Sequence, residues 1–128
     1  MQTDVDNIQR LLDRFKRPIP TKEIYQTRLA EEFELILNQR FTDYFLQICD
    51  IIDLTDDLTH MTRGSAGSSL ICYLLGITDV DPIKWNIPVA RFMNPLRDDL
   101  PDVDIDFEHW RQHDVMERIF KKLSLIHI

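Results

Sequence analysis

The chain has 128 residues, of which 44% are hydrophobic and 29% charged, and this length and composition suit one globular domain. Its formal net charge of −7 argues against a self-sufficient nucleic-acid binder, because such proteins carry a basic patch that neutralises phosphates. The polar N-terminus does not resemble a signal peptide and no apolar run reaches transmembrane length, so we expect a cytoplasmic protein without membrane contact.

Two amphipathic helices are predicted at the start of the chain. Apolar residues recur at helical spacing in residues 3–15, and Pro18 and Pro20 end that helix. Thr21 is then the predicted N-cap of a second helix that reaches about Asn38. This second helix is expected to bury an apolar stripe and to turn its charges to water. The predicted stripe is Tyr25, Leu29, Phe33, Ile36 and Leu37, and the predicted water-facing charges are Glu31, Glu32 and Arg40.

A buried strand is predicted next. Residues 44–49 form a short apolar run that is typical of such a strand, residues 50–58 are expected to continue as a helix or turn, and a break follows at residues 59–62. Cys49 and Cys72 both lie in apolar surroundings, and we expect buried free thiols rather than a disulfide.

A loop of small residues precedes a further predicted helix. Residues 63–69, Arg-Gly-Ser-Ala-Gly-Ser-Ser, lead directly into residues 70–75, with Gly76 as the C′ residue. Small residues allow backbone N–H groups to approach a phosphate, and a helix N-terminus adds favourable partial charge. The side chains that could add hydrogen bonds to a phosphate are Arg63, Ser65, Ser68 and Ser69. An ordinary N-capping turn explains the same residues, and the loop lacks the lysine of a Walker motif.

An acidic segment near the C-terminus carries the second chemical pattern. Residues 102–107 alternate acidic and apolar side chains, which predicts a strand with Asp102, Asp104 and Asp106 on one face, roughly 6.5–7 Å apart in successive steps. Three carboxylates on one face repel each other unless cations neutralise them, and their oxygens suit Mg²⁺, or Mn²⁺ in its place. Two such ions serve in-line phosphoryl transfer. The alternative is an acidic edge strand facing water, which is locally costly because acidic residues have poor β-propensity.

The remaining segments add weaker candidates. Prolines limit residues 78–99 to short elements, and Arg91 and Arg97 in this stretch are candidates for triphosphate binding, although surface arginines are common. A closing helix is predicted from its apolar spacing and from a Glu117–Lys121 pair. Its apolar residues are Trp110, Met116, Ile119, Phe120 and Leu123. The four histidines have no zinc-like spacing, and the serines near Gly64 have no visible His–Asp partnership.

Residues 25–121 resemble the palm region of the bacterial replicative DNA polymerase III α subunit, the C family of DNA polymerases. Five segments carry the resemblance in the same order: residues 44–46 (Tyr-Phe-Leu), 63–66 (Arg-Gly-Ser-Ala), 74–82 (Leu-Leu-Gly-Ile-Thr-Asp-Val-Asp-Pro), 91–95 (Arg-Phe-Met-Asn-Pro) and 101–107 (Pro-Asp-Val-Asp-Ile-Asp-Phe). Several motifs in the right order are far more specific than any one of them. The chain departs from the family at residues 60–62, His-Met-Thr, and at residues 67–68, Gly-Ser where Ala-Gly is usual.

The resemblance implies an α/β (α+β) fold, a partial polymerase-β-like nucleotidyltransferase palm with helices packed on a small sheet. In that family the loop at Gly64 and Ser65 contacts the phosphates of the incoming nucleotide. The metal-binding acids map onto Asp104 and Asp106, whereas Asp102 is not one of the metal pair. The implied reaction is attack of a primer 3′-hydroxyl on the α-phosphate of a deoxynucleoside triphosphate with two Mg²⁺ ions. The implied partners are primer–template DNA, the triphosphates and other replisome subunits.

The resemblance also sets the expected organisation of the chain. We assign residues 1–20 to an N-terminal helix and linker, residues 21–122 to a partial palm domain and residues 123–128 to an atypical tail. Because the family's third metal-binding carboxylate matches nothing in this sequence, we expect a fragment that binds Mg²⁺ weakly and lacks polymerase activity by itself. Two alternatives stay open: a template-independent nucleotidyltransferase with Glu108 as a third acid, and a non-catalytic binding module whose acidic strand faces water or a basic partner.

Overall fold

Helices dominate the computed structural model, which describes residues 2–58, 60–97, 99–108 and 111–127, apart from the side chains of Arg63 and of residues 123–127. The helices in this part of the chain are α1 (Gln2–Leu12), α2 (Glu23–Gln39), α3 (Thr42–Leu54), α4 (Leu70–Leu74) and α5 (Gln112–His127). Two strands, β1 (His60–Arg63) and β2 (Asp104–Phe107), pair antiparallel, and 3-10 turns occupy Gly64–Ser68 and Val89–Arg91. Helices packed with a small sheet confirm the predicted α/β class in its coarse form.

The prediction of a strand over residues 44–49 was wrong, because this segment lies inside α3. The buried residues of α3 include Phe45, Ile48, Cys49 and Ile52, whose spacing places them along one side of a helix. The six-residue window is a mainly apolar run interrupted by Gln47, and so short a run fits a buried helix as well as a strand. Within the window, Phe45, Ile48 and Cys49 already have helical spacing, but three positions are too few to decide, and Ile52 continues the same spacing over the next turn.

The predicted break at residues 59–62 was also wrong, since β1 begins at His60, although Thr59 lies outside the described residues. Met61 lies opposite Asp106, and Arg63 lies opposite Asp104. A run of four residues carries almost no strand signal by itself. Its pairing with β2, more than forty positions later, makes it a strand.

One hydrophobic core joins the first four helices to the residues that precede β2. Phe45, Ile71, Leu74 and Leu11 are fully buried within this cluster, so α1 shares the core of the rest of the chain. Cys49 also lies in the core, and the two thiols are free and buried, as predicted. Burial raises the pKa of the Cys49 thiol to about 11, which keeps it protonated and unreactive near neutral pH.

The chain that follows α1 closes the C-terminal end of α4. The backbone N–H groups of Lys16 and Arg17 donate to the Leu74 carbonyl at 2.7 and 3.2 Å, and the Arg17 guanidinium donates to the Thr78 carbonyl at 2.8 Å. Gly76 has φ +78, the left-handed conformation expected of a C′ residue, which confirms its predicted role. These contacts fix α4 at the end away from the loop of small residues.

The closing helix α5 is partly as predicted. Val115 is buried, but Met116 and Phe120 are half or more exposed, so the predicted apolar stripe is only partly covered. The predicted Glu117–Lys121 pair is present at 3.8 Å. Trp110 and the side chain of Leu123 lie outside the described part of the structure. Of the helices whose residues are described, none is long and apolar enough to cross a membrane.

Candidate active site

Strand β2 presents its two acidic residues to solvent. Asp104 and Asp106 are exposed, whereas Ile105 and Phe107 between and after them are partly buried. Alternate residues of a strand share a face, so both carboxylates project from the solvent side of the sheet, as predicted. Asp102 is exposed as well, but the strand begins at Asp104, so the prediction that placed Asp102 within it was wrong.

Pairing of β1 with β2 brings the 3-10 turn Gly64–Ser68, which we call the Gly–Ser turn, to the acidic strand β2. Arg63 lies opposite Asp104, and Gly64 follows it as the first residue of the 3-10 turn. A Cβ atom built on Gly64 would lie 3.4 Å from Asp104 Oδ2, so this carboxylate sits directly beside the glycine. The two stretches that the sequence singles out, about forty residues apart, therefore meet at one place.

Gly64 also has φ +81, a conformation that side chains rarely adopt. The substitution Gly64→Ala is therefore expected to lower the free energy of unfolding by about 1–2 kcal/mol, because a Cβ is disfavoured in this region. The matched control is Gly67→Ala in the same turn, where an added Cβ would meet Val80 Cβ at an ordinary 3.8 Å and no left-handed strain arises. Chemical denaturation measures the free energy of unfolding of both variants. Equal values would show that the left-handed conformation at position 64 does not penalise a Cβ atom.

The N-terminus of α4, which the sequence offered as a candidate phosphate-binding group, faces the Glu32 carboxylate of α2. The backbone N–H of Leu70 donates to Glu32 Oε2 at 2.7 Å, and that of Ile71 donates to Oε1 at 3.1 Å. The Ser69 hydroxyl donates to Oε1 at 2.6 Å and accepts from the Cys72 N–H at 3.1 Å. An anion stabilises a helix N-terminus, and here the chain supplies its own.

Glu32 was predicted to face water, which was wrong: its side chain is fully buried. Arg28 Nε donates to Glu32 Oε2 at 2.9 Å, and Arg28 Nη2 donates to the carbonyls of Ser68 and Ile87 at 2.6 and 2.7 Å. Burial raises the pKa of Glu32, and the hydrogen bonds and the Arg28 charge oppose that rise. Position 32 lies three residues after Leu29 and four before Ile36, and this spacing is the sequence signal that the prediction overlooked.

The other predicted phosphate ligands differ in accessibility. Ser65 is half-buried at the turn, while Ser68 is buried and so does not offer its hydroxyl to solvent. Arg91 is exposed at the end of the second 3-10 turn, which packs against the first. Arg97 is exposed, 3.9 Å from Asp99. Arg63 has its backbone in β1, but its side chain lies outside the described residues.

Two side chains to which the sequence assigned no role in the site, Tyr44 and Gln39, hold the segment before β2. The Tyr44 hydroxyl donates to the Pro101 carbonyl at 2.5 Å, three residues before Asp104. Burial raises the pKa of Tyr44, and the nearby charges of Asp102 and Asp104 raise it further. The Gln39 amide donates to the carbonyls of Asn94 and Arg97 at 2.7 and 2.8 Å. No sequence motif identifies such side-chain contacts to distant carbonyls.

The acidic pair of β2 carries the oxygen donors that a divalent cation would need. Among the described residues, no group of three His, Cys, Asp or Glu side chains forms a metal cage, and Glu108, although exposed just after β2, completes none. Mg²⁺ is commonly held by one or two carboxylates together with waters and substrate phosphates. Asp104 and Asp106 would supply at most two of these carboxylate ligands, and the remaining ligands would have to be waters or a bound phosphate.

Comparison with known proteins identifies relatives over nearly the whole chain. Residues 5–126 match the family described as the bacterial DNA polymerase III alpha NTPase domain. The chain is 40% identical over 121 residues to the DNA polymerase III subunit alpha of Staphylococcus aureus strain MRSA252, covering 92% of this chain and 11% of that protein. It is 37% identical over 116 residues to the error-prone DNA polymerase of Bdellovibrio bacteriovorus, covering 89% of this chain. The chain thus spans about 11% of the length of either relative.

Proposed function

Since this chain belongs to the bacterial DNA polymerase III alpha NTPase domain family, we propose that it supplies part of the catalytic palm of a DNA-directed DNA polymerase. The observation that carries the proposal is the closeness of the Asp104 carboxylate to Gly64, because it places the proposed phosphate-binding turn beside the proposed metal-binding strand. The parent protein would extend a primer during DNA replication in the cytoplasm.

Asp104 and Asp106 are the proposed metal ligands, with Asp102 as an outlying carboxylate. Two Mg²⁺ ions held there would assist deprotonation of the primer 3′-hydroxyl and stabilise the charge that develops on the pyrophosphate leaving group. Because Gly64 has no side chain, no Cβ would obstruct a phosphate that approached the turn. Ser65 would donate a hydrogen bond to the triphosphate.

Cationic side chains would complete the triphosphate site. The candidates are Arg63, Arg91 and Arg97, whose guanidinium groups can bind phosphate oxygens in a bidentate manner. The net charge of −7 leaves little positive surface for the DNA backbone. Primer–template DNA would therefore be held mainly by basic surfaces of the longer polymerase and of other replisome subunits.

The proposal is tested by titrating the purified 128-residue chain with Mn²⁺ and measuring free Mn²⁺ by electron paramagnetic resonance. The wild-type chain is expected to show weak saturable binding. The double substitution Asp104→Asn and Asp106→Asn should weaken that affinity by at least about tenfold, equivalent to about 1.4 kcal/mol, because both anionic ligands lose their charge.

The matched control is the double substitution Asp4→Asn and Asp6→Asn. It also removes two negative charges, but from exposed positions on α1. This control should retain the wild-type affinity. Equal losses in the two double variants would mean that Mn²⁺ responds only to net charge. No saturable binding by the wild-type chain would favour the binding-module alternative, in which the acidic strand faces water or a basic partner.

A further inference from the structure

The Gly–Ser turn is held at its two ends by different elements. At its start, pairing between Arg63 and Asp104 joins the turn to β2. At its end, Arg28 Nη2 binds the Ser68 carbonyl, and Glu32 binds the Ser69 hydroxyl. The segment between these two anchors is only the 3-10 turn Gly64–Ser68. The position of the turn relative to the acidic strand therefore depends on both anchors.

The second anchor reaches three separate segments from one side of α2. Glu32 accepts from the first residues of α4, and Arg28 binds both the Ser68 carbonyl and the Ile87 carbonyl. Ile87 lies just before the second 3-10 turn, which ends at Arg91. A single ion pair thus ties α2 to the Gly–Ser turn, to α4 and to the segment that carries a candidate phosphate-binding arginine.

A contribution to stability does not by itself explain why Arg28 and Glu32 form a buried ion pair. Glu32 is fully buried and the Arg28 side chain is 11% exposed, and apolar replacements of such pairs are often neutral or stabilising. Apolar side chains would not, however, accept from the N–H groups of Leu70 and Ile71 or donate to the Ser68 carbonyl. What the pair supplies is directional bonding at the end of the turn.

We propose that Arg28 and Glu32 are positioning residues that hold Gly64 and Ser65 in register with Asp104 and so set the affinity of the site for a metal-bound nucleoside triphosphate. This inference rests on the proposed function and adds a requirement to it. Residues that orient metal ligands from outside the coordination sphere affect metal affinity strongly, and substrate-binding groups act best when their geometry is fixed beforehand.

The test compares Glu32→Gln with Leu29→Ala in the 128-residue chain. Leu29 is buried one turn earlier on α2 and makes no part of the polar network, so its truncation controls for general destabilisation. Binding of Mn²⁺ in the presence of dATP is measured well below the unfolding temperature of each variant. Amide resonances of Gly64 and Ser65 are followed by NMR in the same samples.

Glu32→Gln is expected to weaken Mn²⁺–dATP binding by about tenfold and to shift the Gly64 and Ser65 resonances. Leu29→Ala should lower the unfolding temperature yet retain affinity and resonances. Wild-type affinity in a folded Glu32→Gln chain, together with loss of binding in the Asp104/Asp106 double variant, would overturn this inference alone. Absence of wild-type binding would overturn the proposed function and this inference with it.

If Glu32→Gln does not fold, Ser69→Ala replaces it as the test variant. This substitution leaves the ion pair in place, removes one hydrogen bond to the Glu32 carboxylate and also removes the N-cap bond from the Cys72 N–H. It is expected to weaken binding by a smaller factor, with the same two resonances displaced. Unchanged affinity and unchanged resonances in Ser69→Ala would count against positioning by Glu32.

Discussion

Replacing Arg28 with methionine is expected to lower the free energy of unfolding by about 3–5 kcal/mol at pH 8. The substitution leaves the Glu32 carboxylate fully buried without its guanidinium partner, and it removes the donors to the carbonyls of Ser68 and Ile87. A domain of this size is stabilised by only about 5–15 kcal/mol in total, so the loss is a large fraction of it. Urea denaturation followed by circular dichroism measures the change.

The loss should depend on pH with a definite sign. Burial already raises the pKa of Glu32 above its ordinary 4.5, and removing Arg28 raises it further. A carboxyl whose pKa is higher in the folded than in the unfolded state favours folding when protonated, so stability falls as pH rises from about 4.5 through the folded pKa. The Arg28→Met variant should therefore lie closer to wild type at pH 5.5 than at pH 8.

A surface ion pair provides the control for this prediction. Arg10 binds Asp43 at 3.0 Å with both side chains at least half exposed. Arg10→Met should cost less than about 1 kcal/mol, because solvent screens an exposed pair and its side chains lose entropy on pairing. Similar losses in Arg10→Met and Arg28→Met, or a loss for Arg28→Met that does not change with pH, would contradict a buried charge at Glu32.

Replacing Phe45 with alanine is expected to destabilise the fold by about 3–5 kcal/mol. The Phe45 side chain is fully buried in α3. Its ring packs edge-on against those of Tyr44 and Phe92, with ring centroids 5.9 and 6.1 Å apart. Truncation removes apolar burial and leaves a cavity between α3 and the segment that follows the second 3-10 turn. Thermal and urea unfolding measure the loss.

The matched control is Phe120→Ala, the same substitution at a position on α5 that is 60% exposed. It should change stability by less than about 1 kcal/mol, because little apolar area is recovered from water at that position. If Phe45→Ala were as mild as Phe120→Ala, the central place of α3 in the core would be refuted.

The acidic strand and the Gly–Ser turn could be found in the sequence because each is a local pattern. Alternation of acidic and apolar side chains predicts which face Asp104 and Asp106 share, and the exposure of the two residues confirms it. The resemblance to a polymerase family could be recognised in the sequence because it also rests on local motifs, and the family match over residues 5–126 confirms it. A motif is a short run of residues, and its order along the chain does not depend on folding.

Some elements and side chains that pack around the acidic strand and the Gly–Ser turn were predicted incorrectly from the sequence. Nothing in His60–Arg63 predicts a strand until β2 lies beside it, and a window over residues 44–49 does not separate a buried helix from a buried strand. Glu32 looks like a solvated charge on α2, although its spacing from Leu29 and Ile36 puts it on the buried side. Propensity counts a residue type, whereas burial depends on what packs against it.

By itself, the amino-acid sequence determined the mixed helix–sheet class, the free buried thiols, the acidic pair, the left-handed glycine after α4 and the polymerase family. Only the tertiary structure decided that Gly64 adjoins Asp104 and that the N-terminus of α4 is filled by a carboxylate of the chain itself. The physical reason is the distance along the chain over which each kind of interaction acts. Side-chain periodicity and turn chemistry act over a few residues, while these two contacts join positions about forty residues apart, and the chain must fold before either group meets its partner.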